Sequence, residues 1–144
     1  MIGKKFYMTE QQRNIFKQAL SRCGECVDLH GWRYSKDIGF EEYVAIDIYN
    51  TDHCYQFYVS VKFLRTHFPI KGNDETLPSI QLRNAAERWW KETSQKDVAI
   101  DNGIMMVAIV ACGLAPRDLW HSMDVVQKAM IKIHTWNRVC KKIK

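Results

Sequence analysis

The sequence predicts an α+β fold: an N-terminal helix, a central antiparallel β-hairpin, then a C-terminal helical part with a buried central helix and a long basic last helix. Three observations predict it. Residues 9–31 repeat apolar positions at spacings of three and four, and residues 41–50 and 54–63 alternate with period two. The longest apolar run, IMMVAIVAC at 104–112, has no polar position on any face.

A chain of 144 residues with 47% hydrophobic residues is long enough to bury one substantial core, so residues 1–144 are expected to form a single compact domain. Within it, 1–70 is the helix-plus-hairpin part and 77–144 the helical part, with the loop KGNDETLPS at 71–79 as the candidate linker. The run at 104–112 is far short of the roughly 20 residues a membrane span needs, and MIGKKFYMTEQQ at the N-terminus has no apolar signal-peptide core. Five cysteines, an odd count, suit free thiols in a reducing compartment. A cytoplasmic protein without membrane contact is the expectation.

The first helix is expected to open at Thr9, which forms a capping-box pattern with Gln12, and to stop at Gly31. Its stripe runs through Ile15, Phe16, Ala19, Leu20, Cys23 and Cys26 to Val27 and His30. In the hairpin, Val44, Ile46 and Ile48 share one face, as do Tyr55, Phe57, Val59 and Val61 of the second strand, with NTDH at 50–53 as the turn. Leu82, Ala85, Ala86 and Trp89 then line one side of a further helix. The wholly apolar helix follows and Gly113 ends it. Pro116 suits the first position of the last helix, whose stripe is Leu119, Met123, Val126, Met130, Ile133 and Trp136.

Charge is distributed unevenly. Residues 117–144 hold seven Lys and Arg against Asp118 and Asp124, so they carry the whole formal charge of +5; the preceding residues balance at fourteen of each sign. Such asymmetry points to nucleic acid or another polyanion. Lys and Arg also favour helix C-termini because they oppose the macrodipole, so solubility alone is a competing explanation.

Four constellations bear on chemistry. Cys23-x2-Cys26 with His30, completed by His53 or Cys54, has zinc-ligand residue types. A second CxxC or HxxxH is lacking, however, and both cysteines continue the apolar stripe, which favours core thiols. As a redox pair the same CGEC lies too late in its helix. Residues 106–122, MVAIVACGLAPRDLWHS, resemble helix-turn-helix regulators around the turn at Gly113, which would present Arg117, His121 and Lys128 outward. They depart from that pattern at Ile109, where a small residue is wanted, and at Asp118, which would face phosphates; two core helices joined by a glycine turn fit better. Trp89 and Trp90 cannot both face one core, so an exposed aromatic beside Arg88 and Lys91 is a further candidate surface. No GxGxxG, P-loop, HExxH or GxSxG pattern occurs, and Asp52 beside His53 is explained by a loop.

The resulting expectation is a non-enzymatic, nucleic-acid-associated binding protein without a cofactor. Arg117, Lys128, Lys132, Arg138, Lys141 and Lys142 are the expected phosphate contacts. The alternatives are a protein-binding inhibitor or adaptor of a nucleic-acid-handling complex, and a small zinc module built on Cys23, Cys26, His30 and His53.

Overall fold

The computed structural model describes residues 6–24, 27–32, 42–68, 76–114 and 130–132. Its elements in chain order are α1 (Glu10–Cys23), β1 (Val27–Asp28), β2 (Gly31–Trp32), α2 (Thr51–His67), β3 (Thr76–Pro78), α3 (Ser79–Ser94), α4 (Asn102–Ala111) and β4 (Met130–Lys132). The architecture is mostly helical, which corrects the α+β expectation. The strands form two short antiparallel pairs, β1 with β2 and β3 with β4, rather than a layer against which helices could pack.

The α1 helix begins as its sequence requires. Gln12 N–H donates to Thr9 Oγ1 at 3.1 Å and Thr9 N–H donates to Gln12 Oε1 at 3.0 Å, so two of the unpaired amides at the helix start are satisfied reciprocally. Phe16, Ala19 and Cys23 are its buried face. It ends at Gly24, not Gly31, because the chain there takes φ 62°, which glycine adopts without steric penalty. Residues 27–32 then fold back as the β1–β2 turn. Asp28 organises that turn: its buried carboxylate accepts from His30 N–H at 2.9 Å and from Val44 N–H at 3.1 Å.

The expected central hairpin is absent. Val44 meets the rest of the fold through Leu29, whose N–H donates to its carbonyl at 2.9 Å, and the second expected strand is helix α2. Asn50, read as a turn residue, is an N-cap whose side-chain oxygen accepts from His53 N–H at 3.0 Å. The physical reason lies in the packing of α2. Cys54, Gln56, Phe57, Val59, Ser60, Phe63, Leu64 and His67 are all buried, so the helix is covered over much of its circumference and has no clean amphipathic stripe. In this run Tyr55, Phe57, Val59, Val61 and Phe63 alternate with Gln56, Ser60 and Lys62, which fits a half-exposed strand, yet Gln56 and Ser60 are buried as well. Tertiary burial selects the helix.

The core is assembled around α4, which packs on α1, α2, α3 and both strands of the first pair. Every residue from Asn102 to Val110 is buried. Burying each large apolar side chain contributes about 1.5–3 kcal/mol before entropy is counted, and Ile104, Met105, Met106 and Ile109 all belong to this set. The helix closes with a Schellman motif: Leu114 N–H donates to Ile109 C=O and Gly113 N–H to Val110 C=O, both at 3.0 Å, with Gly113 at φ 70°. On α3, Leu82, Ala85 and Ala86 are buried, and Ser79 Oγ donates to Asn102 Oδ1 at 2.8 Å to tie the starts of α3 and α4. Phe16 stacks on Phe57 with centroids 4.2 Å apart, joining α1 to α2.

Most of the expected last helix lies outside the described residues. Where it is described, at 130–132, the backbone is extended: Met130 pairs with Pro78, Ile131 with Leu77 and Lys132 with Thr76. The long basic helix is therefore corrected at these positions. Among the described residues no helix is long and apolar enough to cross a membrane.

Candidate functional site

Of the six expected phosphate contacts, Lys132 alone falls among the described residues, at the end of β4 opposite Thr76. Arg117, Lys128, Arg138, Lys141 and Lys142 lie outside them. The β3–β4 pairing attaches the basic segment to the strand that leads directly into α3.

The zinc candidates that the structure describes are spread over different elements. Cys23 is buried on α1 at 1% exposure, and Cys26 lies outside the described residues. His30 is exposed at the β1–β2 turn with Nε2 3.2 Å from Glu42 C=O. His53 sits in the first turn of α2, and its Nδ1 accepts from Asp47 N–H at 3.0 Å. The Cys54 thiol donates to Ile48 C=O at 3.0 Å. Among the described residues no three His, Cys, Asp or Glu side chains are placed to hold a metal ion. The Asp52–His53 pair is likewise divided, since Asp52 accepts from the Gln56 amide.

Arg13 builds a small polar cluster where α1 meets the start of α2. Its guanidinium donates to Ile48 C=O and to Cys54 Sγ, the latter at 3.6 Å, and lies 4.9 Å from the centre of the Tyr49 ring. Burial pushes the Cys54 thiol above its ordinary range, and Arg13 offsets only part of that. The group is a neutral thiol near pH 7 rather than a nucleophile. Tyr49 is 74% exposed, yet it is held in place: its N–H donates to Asp47 Oδ1 at 2.9 Å and its ring rests against Arg13.

A groove of about 290 Å³ runs between α1 and α2. Met8, Ile15, Phe57 and Val61 supply apolar walls, with Gln12 and Thr66 as neutral polar members. Lys62 and Arg65, both exposed, line it as well. They are three apart on α2 and so project to neighbouring positions of one helix face. Lys62 Nζ donates to Tyr58 Oη at 3.3 Å and lies 5.5 Å from the Tyr58 ring centre. Arg65 lies beside Cys112, whose thiol burial pushes up to about 11 against the opposing pull of the guanidinium. Lys62-x2-Arg65 was invisible as a pair in the sequence because the expected strand ended between them. Read as a helix, the same spacing identifies them.

No protein-family model, no curated protein and no solved structure matches this chain.

Proposed function

We propose that this is a non-enzymatic, nucleic-acid-associated binding protein whose basic C-terminal segment contacts phosphates. The observation that carries the reading is the confinement of the net charge of +5 to residues 117–144, beside a neutral remainder. The attachment of 130–132 to β3 supports it, because cations flanking a fixed point lose less conformational freedom on binding than those of a free tail. A cytoplasmic location belongs to the same proposal, supported by the odd cysteine count and by the free thiols of Cys54 and Cys112.

The test is a gel shift at low salt with random-sequence single- and double-stranded DNA and RNA. Binding to all sequences alike supports phosphate recognition, and no shift on any probe from folded protein removes it.

One observation favours a second reading, a protein-binding adaptor or inhibitor. Tyr49 is exposed but preorganised on Arg13, and tyrosine and arginine are the residue types that dominate protein interfaces. Under that reading Tyr49→Ala abolishes partner capture while leaving any nucleic-acid binding intact.

A further inference from the structure

The α1–α2 groove combines two features that separately are ordinary. Cations near the C-terminal end of α2 oppose its macrodipole, which explains Arg65 without any ligand. A dipole gives no reason, however, for the apolar side chains that line the same groove. Among the described residues no carboxylate lines the groove. Among the described residues the ion pair present is Lys91–Asp97, far along the sequence on α3 and the segment after it, so neither Lys62 nor Arg65 is neutralised there. The groove therefore combines apolar walls with two adjacent positive charges.

Size and geometry narrow the occupant. The volume of about 290 Å³ lies at the lower end of the range for small-molecule clefts, about 300–1,000 Å³. A nucleobase is disfavoured, because the Lys62 ammonium already lies against the Tyr58 ring on which a base would stack. Sugars would leave their hydroxyls facing Ile15, Phe57 and Val61 without partners. A single anionic head on an unbranched apolar chain satisfies both halves. We propose that this groove binds a medium-chain fatty carboxylate, its tail on Ile15, Phe57 and Val61 and its carboxylate between Lys62 and Arg65. Arg65 is steadied for that role by its position at Cys112, and Lys62 by Tyr58. This site is independent of the basic C-terminal segment.

The experiment is titration of the full chain with decanoate, decan-1-ol and decyltrimethylammonium, each below its micelle concentration, followed by calorimetry and by the methyl NMR signals of Met8, Ile15 and Val61. Decanoate saturates one site and shifts those methyls. Shortening to octanoate weakens binding by about fourfold per methylene removed. The double variant Lys62→Gln/Arg65→Gln, both exposed positions whose change leaves the helical circular dichroism intact, weakens decanoate at least tenfold and brings it to the level of decanol. The control Lys91→Gln/Lys96→Gln leaves it unchanged. Non-saturable uptake, equal binding of the alkylammonium, or decanoate affinity unaltered in the Lys62/Arg65 variant each overturns the proposal.

Discussion

The α-carbon of Gly103, in the first turn of α4, rests against the carbonyl of Asp28 in β1. A methyl group placed there would meet that oxygen at 1.6 Å and the carbonyl carbon at 2.7 Å. The neighbouring contact is a hydrogen bond from Gly103 N–H to Leu29 C=O at 3.1 Å. The strand and helix backbones touch here because nothing stands between them. Backbone atoms, unlike the end of a flexible side chain, cannot step aside. Gly103→Ala is therefore expected to destabilise by about 3 kcal/mol or more, at the upper end of overpacking costs. Urea unfolding measures it, and a change under 1 kcal/mol would mean that the β1–α4 contact is not as close as described.

That contact also marks a limit of sequence reading. Nothing local in Asn102-Gly103 says that another backbone lies against it. Local signals did identify other elements. The Thr9–Gln12 capping box is complete within four residues, and the apolar run at 104–112 excludes every exposed arrangement. Leu82, Ala85 and Ala86 define the buried face of α3 by spacing alone. The failure at 50–63 has a different cause. Val59 and Val61 favour strand locally, while the selection of helix comes from α1, α3 and α4 closing around it. Lys62 and Arg65 were lost with that element, since their adjacency exists only on a helix.

Gln56 holds the start of α4 to α2. Its amide nitrogen donates to Asp52 Oδ2 at 2.9 Å and Asp101 Oδ2 at 3.0 Å, while its oxygen accepts from Asp101 N–H at 2.8 Å. Gln56→Leu strands the Asp101 amide and leaves two carboxylates without a shared donor, which is expected to destabilise by about 2–4 kcal/mol. Gln56→Glu adds a third carboxyl between two others, so its folded-state pKa rises above its unfolded value. The folded protein then holds that proton more tightly, and stability recovers as pH falls. A Gln56→Glu variant that is instead most stable at alkaline pH would contradict the network.

Ile109 is fully buried at the middle of α4. An unpaired carboxylate there costs several kcal/mol against a total stability of about 5–15 kcal/mol. Ile109→Asp should yield no folded soluble protein, whereas Ile109→Val should lose only about 0.5–1.5 kcal/mol. Soluble, cooperatively unfolding Ile109→Asp protein would show that α4 has an exposed face.

Cys112 gives a pH signature. Burial raises its pKa from the ordinary 9.0 to about 11, with Arg65 restraining the rise. Between those values an unfolded chain sheds the thiol proton and the folded chain keeps it. The thiol's contribution to stability is thus intact below pH 9 and is lost as pH climbs toward 11. Iodoacetamide should label Cys112 in folded protein more slowly than a free cysteine through this window, and Arg65→Gln should slow it further by removing the charge that favours thiolate. Fast labelling of Cys112 at pH 8 would show the thiol to be open to solvent.

On duplex DNA each phosphate neutralised releases condensed counterion and steepens the fall of log affinity with log salt by about 0.9; on single strands the figure is about 0.7. Lys128, Lys132 and Arg138 are three of the seven cations in 117–144 and retain polarity as Gln. If each meets one phosphate, the triple variant should flatten the duplex slope by up to about 2.7. Lys132 offers the internal control. Its backbone is fixed opposite Thr76, so Lys132→Gln alone should remove close to one contact's worth of slope without disturbing the β3–β4 pair. Sequence preference should not change in any of these variants, since phosphates carry no base identity. A triple variant that loses affinity with its salt slope intact would move the contacts away from phosphate and towards a protein partner.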